Sequence, residues 1–361
     1  MKEKKKHLRT GFTTGSSAAA AAAACLEVLT GGRPPDKVMI DLPNGGTLAI
    51  PVHAFERRNG HLIATVQKDA GDDPDITDKA IIGAIVTPHE QPDTPRIHIK
   101  GGHGVGKVTR PGLPVKVGED AINPVPRSMI LHEISRRLPK DVGHIDVEIF
   151  IEKGEELAQK TLNPRLGIVG GLSVLGTTGI VKPFSAESYK ETIRLCVEGI
   201  RREGYDTAVF STGGKSERLV RKVQSDLPEI VFVQIADFLG YALGKAKEVR
   251  LRRVILSCFF GKLCKWALGG DYTHAHTQAM DFTELANLAE AAGLSPAFCR
   301  FVAAANTARQ IAESALPEAE AFMRIIGDLA LQLIRERLPR STDVSIFCWR
   351  FDGKGFMTWP T

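Results

Sequence analysis

The chain has 361 residues, of which 43% are hydrophobic and 25% charged, with a net charge of +5. That length is too great for one ordinary core, so two domains are expected. No apolar run reaches the ~20 residues of a membrane helix, and the mild basic excess lacks the concentrated stripe of a nucleic-acid binder. The charge suits an anionic small molecule. Six scattered cysteines without a CxxC pair read as reduced thiols. The Ala18–Leu29 run, set behind polar Thr10–Ser17, makes a poor secretion signal, so a cytoplasmic protein is expected.

After a charged tail, Lys2–Arg9, a helix is expected from about Ser16 to Leu29, stopped by Gly31-Gly32 and Pro34-Pro35. Short strands follow at Val38–Leu42, Leu48–Val52, Leu62–Val66, Ile81–Val86 and Arg96–Lys100, divided by turn-forming clusters such as Asn44-Gly45-Gly46. A helix entered through Pro126 spans Pro124–Leu138, and Ile145–Ile151 is another strand. This pattern predicts an α+β domain over residues 1–160. From residue 161 the pattern alternates. Strands at Leu166–Val169, Thr207–Ser211, Ile230–Gln234 and Arg253–Ser257 are separated by helices at Ala186–Glu203, Glu217–Gln224 and Phe238–Glu248. A helical stretch to Arg337 precedes a last strand at Asp343–Arg350. Residues 161–361 therefore read as a Rossmann-like, doubly wound parallel-sheet domain, giving a two-domain α/β protein.

Several clusters carry chemistry. Glycines and hydroxyls in Arg9–Ser17, at a helix start, either cap the helix or hold a carboxylate or phosphate on free N–H groups. The acidic run Asp69–Asp75 is either a solvated turn or a cation- or proton-handling site. The Gly101–Gly106 stretch lacks the dinucleotide spacing and reads as a hairpin-like turn. Gly170-Gly171, the Thr212-Gly213-Gly214 turn and Asp237 each follow an expected strand, where backbone N–H groups and a carboxylate can hold a nucleoside. Gly214-Lys215-Ser216 imitates the end of a P-loop, but Val209 stands where the leading glycine belongs. His274 and His276 form an H-x-H pair that either hydrogen-bonds or, with Cys258 or Cys264, ligates a metal.

These segments together resemble one family. Arg9–Gly15 (RTGFTTG) before an alanine-rich helix is similar to the opening of the cobalt-precorrin-5B C1-methyltransferases, the CbiD family. DAGDDPD at Asp69–Asp75, VTRPG at Val108–Gly112, AINPVPR at Ala121–Arg127, NPRLG at Asn163–Gly167 and GGLSVLGTTGIV at Gly170–Val181 follow in order. Gly261-Lys262-Leu263, Thr273-His274 and Asn306-Thr307-Ala308 extend the resemblance over nearly the whole chain. Ser17, Ala23, Phe259 and Tyr272 stand where the family often has other residues.

The resemblance implies S-adenosylmethionine as methyl donor and a cobalt-corrinoid acceptor, methylated at C1 to give cobalt-precorrin-6A. The first domain would contact the corrinoid and the second would bind the donor, at Gly170, Gly171, Thr212, Gly213, Gly214 and Asp237. Arg9, Thr13, Thr14, Gly15 and Ser16, with Arg127, Arg165 and Lys262, would hold the acceptor's carboxylates. His274, Asp72 and Asp73 are the candidates for proton handling, lining an acceptor cleft between the domains. No metal, nucleic-acid or membrane partner is expected, and a homo-oligomer is compatible with the sequence. Two rivals are a phosphoryl transferase built on Ser211–Ser216 and a non-catalytic corrinoid carrier.

Overall fold

A computed structural model of the chain describes residues 8–58, 61–89, 96–139, 144–273 and 279–360. It divides into two units, the first ending at Ala186 and the second beginning at Glu187.

In the first unit β1 (Gly11–Phe12) leads into α1 (Thr14–Leu29). Then come β2 (Lys37–Asp41), β3 (Thr47–Pro51), β4 (Ala54–Arg58), β5 (His61–Gln67), β6 (Ile81–His89), β7 (Ile97–Gly101) and β8 (Lys107–Val108). The unit closes with α2 (Pro124–Arg137), β9 (His144–Ile151), α3 (Gly154–Ala158), β10 (Ile168–Val169) and β11 (Ile180–Val181). Helix α1 is buried from Thr14 through Leu26, on every face. Its alanine run explains this. Alanine is the strongest helix former and its small side chain lets α2, β5 and β6 approach the backbone closely. The five-stranded sheet has the order β4-β5-β6-β9-β7, antiparallel except for β7 beside β9. In β9 the alternation is strict, with Ile145, Val147, Ile149 and Ile151 facing the core. The β2–β3 hairpin turns on Gly45 and Gly46, both at positive φ.

In the second unit α4 (Ala186–Arg202), β12 (Thr207–Ser211), α5 (Gly214–Val223), β13 (Phe232–Gln234), α6 (Leu239–Glu248), β14 (Arg253–Phe259) and α7 (Phe260–Ala267) alternate. Four further helices follow, α8 (Phe282–Ala291), α9 (Pro296–Ala303), α10 (Ala308–Ala312) and α11 (Glu318–Glu336). The last elements are β15 (Asp343–Trp349) and β16 (Phe356–Trp359). The sheet has the order β13-β12-β14-β15-β16, parallel except for β16. Its central strands are apolar runs buried on both faces, as parallel sheets require. The fold is thus mixed α/β with parallel and antiparallel sheets. Among the described residues no helix is long and apolar enough to cross a membrane.

Three expectations change. The strand expected at Leu166–Val169 is not in the parallel sheet. Ile168–Val169 instead pairs antiparallel with Lys107–Val108, in the first unit. With Ile180–Val181 paired to Gly11–Phe12, this ties the segment after residue 160 to the first unit, and the boundary falls at Ala186. Gly101–Gly106 is a turn but not a hairpin, since β7 pairs with β9 and β8 with β10.

Candidate active site

The carboxyl ends of β12, β13, β14 and β15 share one edge of the second sheet, because those strands run parallel. After β12 only Thr212 and Gly213 precede α5. Thr212 donates its N–H to Ser257 O at 3.1 Å, stitching this turn to β14. A Cβ on Gly213 would meet nothing within 4 Å, so the space over the turn is open. Lys215 does not point at that space as a P-loop lysine would. Its Nζ donates to Phe351 O at 2.6 Å and lies 5.3 Å from the Phe259 ring centroid. A two-residue turn with its lysine so engaged cannot cradle a triphosphate.

After β13 the backbone turns at Ala236, held at φ 44°, and presents Asp237. Its Oδ1 accepts from Lys262 Nζ and from Thr273 Oγ1, the latter at 3.1 Å. Thr273 N–H donates to Asp237 O at 3.0 Å, and Thr273 O accepts from Lys265 Nζ at 2.9 Å. Thr273 is therefore clamped through both backbone groups and its hydroxyl. Burial, and after it the neighbouring Lys262 charge, push Lys265 below the usual lysine range. Asp237 and Lys262 were legible as separate candidates, whereas the Thr273–Lys265 half of the cluster was not.

In the first unit the two opening motifs form one structure. The Arg9 guanidinium pairs with the Asp69 carboxylate, donating from Nη2 at 2.9 Å, and Arg9 N–H donates to Asp72 at 2.7 Å. The Arg9 hydrogen bond holds the Asp69 carboxyl below the usual carboxylate range. Asp73 accepts from Phe184 N–H at 2.8 Å. Thr13 caps α1, its Oγ1 accepting from Ser16 N–H at 3.1 Å. Thr14 Oγ1 accepts from Leu175 N–H at 2.9 Å, Gly15 N–H donates to Leu175 O at 3.0 Å, and Ser16 Oγ donates to Gly179 O at 2.7 Å. The polar groups at the helix start are thus buried and matched within the protein.

The remaining candidates sit on other elements. Gly170 and Gly171 follow β10 in the first unit, so they do not share the sheet edge that carries Thr212, Gly213, Gly214 and Asp237. Gly170 has open space around it, but Gly171 is pressed on the Gly104 carbonyl. Arg127 donates to Ile99 O at 2.9 Å, and Arg165 O accepts from Arg110 at 3.4 Å. His274 and His276 lie outside the described residues. Cys258 and Cys264 are buried, and burial pushes both thiols well above the ordinary range. Asp41, His132 and Glu133 converge closely enough to suggest a cation. However, buried Glu133 already accepts from Asp41 N–H, Arg136 and Arg137, and two guanidinium groups repel a metal ion.

A family model described as CbiD matches residues 1–183, and one described as the CbiD C-terminal domain matches residues 272–359. The chain belongs to the CbiD family. Relatives within it span the full length. A cobalt-precorrin-5B C(1)-methyltransferase of Geobacillus sp. (strain WCH70) is 43% identical, covering 92% of each chain. Enzymes of that name from Polaromonas sp. (strain JS666) and Thermus thermophilus are each 41% identical, covering 98% and 99% of this chain and 98% and 95% of their own. A crystal structure of the cobalamin biosynthesis protein CbiD from Archaeoglobus fulgidus is 29% identical, covers 75% of this chain and 83% of its own, and has a TM-score of 0.42. The segment between the two matched ranges holds β12, β13, β14 and their turns, which the full-length CbiD relatives also cover.

Proposed function

We propose that the chain methylates C1 of cobalt-precorrin-5B with S-adenosylmethionine held at the carboxyl edge of the second sheet. The C-methyltransferase activity follows from the full-length relatives of that name. The placement of the donor rests on one observation, the strand order. β13 and β14 lie on opposite sides of β12, so the chain reverses its winding between β12 and β14. Doubly wound, Rossmann-like sheets bind ligands in the crevice at that reversal, outside the carboxyl ends of the strands.

The residues there suit a nucleoside. Open space over Gly213 admits a ligand close to the backbone. The Asp237 carboxylate uses Oδ1 on Lys262 and Thr273, leaving Oδ2 to accept from a ribose hydroxyl. In the transfer, C1 of the acceptor attacks the sulfonium methyl in line. The new C–C bond takes its electrons from the ring, and the breaking S–C bond returns a pair to sulfur. The donor leaves as a neutral thioether and the positive charge passes to the ring. Alignment and exclusion of water supply most of the acceleration. For stabilising the ring cation or taking its proton we propose Asp72, Asp73 and His274 as auxiliary groups.

Calorimetric titration of Asp237→Ala with S-adenosylhomocysteine tests the placement. A loss of affinity of tenfold or more is expected; parent-like binding removes the ribose contact. Labelled methyl transfer to the corrinoid precursor tests the activity itself.

A further inference from the structure

The second unit contains a hollow of about 800 Å³, within the size range of ligand sites. Its walls are the α10–α11 connection, the first turns of α11, and the β15–β16 hairpin. Apolar side chains from all three line it, among them Leu316, Met323 and Phe356. Three basic groups also line it: Arg324, Arg350 and Lys354. One carboxylate faces them, Glu320, and it is already bound by Arg324 at 3.1 Å. Among the described residues Arg350 and Lys354 form no ion pair, and the Asp352 carboxylate of the same turn accepts from the Lys354 backbone N–H at 2.9 Å. The Ser314 hydroxyl on the same wall is buried with no hydrogen-bond partner. A hollow whose exposed lining is more polar than apolar, with two basic groups free of ion pairs, fits a ligand carrying several carboxylates.

Its place in the sheet narrows the ligand. Arg350 is the residue after β15, so the hairpin turn stands on the same carboxyl edge as the Gly213 and Asp237 turns. Phe351 in that turn packs on Phe259, centroids 4.9 Å apart, and receives the Lys215 hydrogen bond. The turn therefore borders both the crevice assigned to the donor and the hollow. A second substrate held in the hollow lies next to the first along one sheet edge, as a group transfer needs.

We propose that this hollow holds the acceptor by its carboxylate-bearing rim, Arg350 and Lys354 pairing with peripheral carboxylates while the ring edge rests against Leu316, Met323 and Phe356. The proposal rests on the methyltransferase reading for the identity of the ligand. The donor also carries a carboxylate, so the test must separate the two.

The probe is cobyrinic acid, a cobalt corrinoid with free carboxylates, titrated into the full chain and followed by visible absorbance. Its methyl ester is the uncharged control, and S-adenosylhomocysteine reports the donor site. The variant is R350Q/K354Q, two exposed positions whose replacement leaves the melting temperature unchanged. The expected result is binding of the acid by the parent, weakened at least tenfold in the variant, or about 1.4 kcal/mol, with S-adenosylhomocysteine affinity retained. Three results overturn it: no binding of the acid by the parent, equal affinity of the parent for acid and ester, or a variant that binds the acid like the parent. Loss of S-adenosylhomocysteine alone overturns it too and gives these cations to the donor. The methyltransferase reading fails separately, through absent methyl transfer in a parent whose corrinoid binding is still lost in R350Q/K354Q.

Discussion

Gly11 lies so close to Asp69 that a Cβ at position 11 would sit 2.2 Å from the Asp69 carbonyl oxygen. Gly71 returns the contact, with a Cβ site 2.2 Å from Arg9 O. Two motifs far apart in the chain are thereby interlocked backbone to backbone, with Phe12 N–H donating to Asp69 O at 2.8 Å. Gly11→Ala has no flexible side chain to push aside and should destabilise the first unit by about 3 kcal/mol, the upper range of overpacking. Urea unfolding measures it; a cost below about 1 kcal/mol would show that the two loops part easily.

Gly213 provides the opposite case. Its φ of 167° is ordinary extended backbone, and a Cβ there meets nothing. Gly213→Ala should leave stability within about 0.5 kcal/mol of the parent. If the donor lies on this turn, the added methyl takes up its space and S-adenosylhomocysteine affinity falls about tenfold, about 1.4 kcal/mol. Parent affinity in this variant would move the donor elsewhere.

Much of this architecture was legible in the sequence, and the exceptions have physical causes. Thr207–Ser211 was legible to the residue, because a buried parallel strand is an unbroken apolar run between turns. The edge strand Ala54–Arg58 is not legible in the sequence, since Glu56 and Arg57 hide the alternation. Phe356–Trp359 is too short to be legible, four residues between Gly355 and Pro360. Ile168–Val169 reads as a strand, but two apolar residues carry no period that names their partner, which is Lys107–Val108. The Asp237 turn could be found from strand–turn–helix order. Its tie to Thr273, 36 residues on, is a tertiary contact that no local pattern encodes.

Lys68 is 2% exposed and its Nζ pairs with Asp75 at 2.8 Å. Burial alone would raise the Asp75 carboxyl, but the Lys68 charge and hydrogen bond, with the Thr77 donors, bring it below the usual carboxylate range. A depressed folded value means that the pair contributes fully above the unfolded pKa of about 3.9 and is lost as pH falls through the folded value. Acid unfolding of the first unit should therefore steepen below about pH 4. Asp75→Asn should cost about 3 kcal/mol at neutral pH by stranding a buried ammonium, and should flatten that acid limb. An unchanged limb would assign it to other carboxylates.

Lys262 donates to Asp237 Oδ1 and to both oxygens of Thr273, at 3.2 Å for the carbonyl and 3.1 Å for the hydroxyl. Lys262→Met removes the charge that orients Asp237 without touching the carboxylate itself. Donor affinity should fall about fivefold, about 1 kcal/mol, less than in Asp237→Ala, with Lys262→Arg restoring part of it. A Lys262→Met protein that loses corrinoid affinity and keeps the donor would instead make Lys262 an acceptor contact.

Thr14 decides between two uses of the α1 start. Its Oγ1 accepts from Leu175 N–H at 2.9 Å and donates toward Leu175 O at 3.2 Å, and the residue is 4% exposed. An anion-binding helix start leaves its donors open to solvent, whereas here they hold the Ser173–Gly179 loop. Thr14→Val keeps the shape and strands the Leu175 N–H, so it should destabilise the first unit by about 1–3 kcal/mol. Binding of S-adenosylhomocysteine should persist, and corrinoid affinity, measured below the lowered melting temperature, should stay within about twofold of the parent. A stable Thr14→Val protein that fails selectively with the corrinoid would restore the helix start as the site of an acceptor carboxylate. Loss of stability with both affinities intact leaves it a cap and a joint.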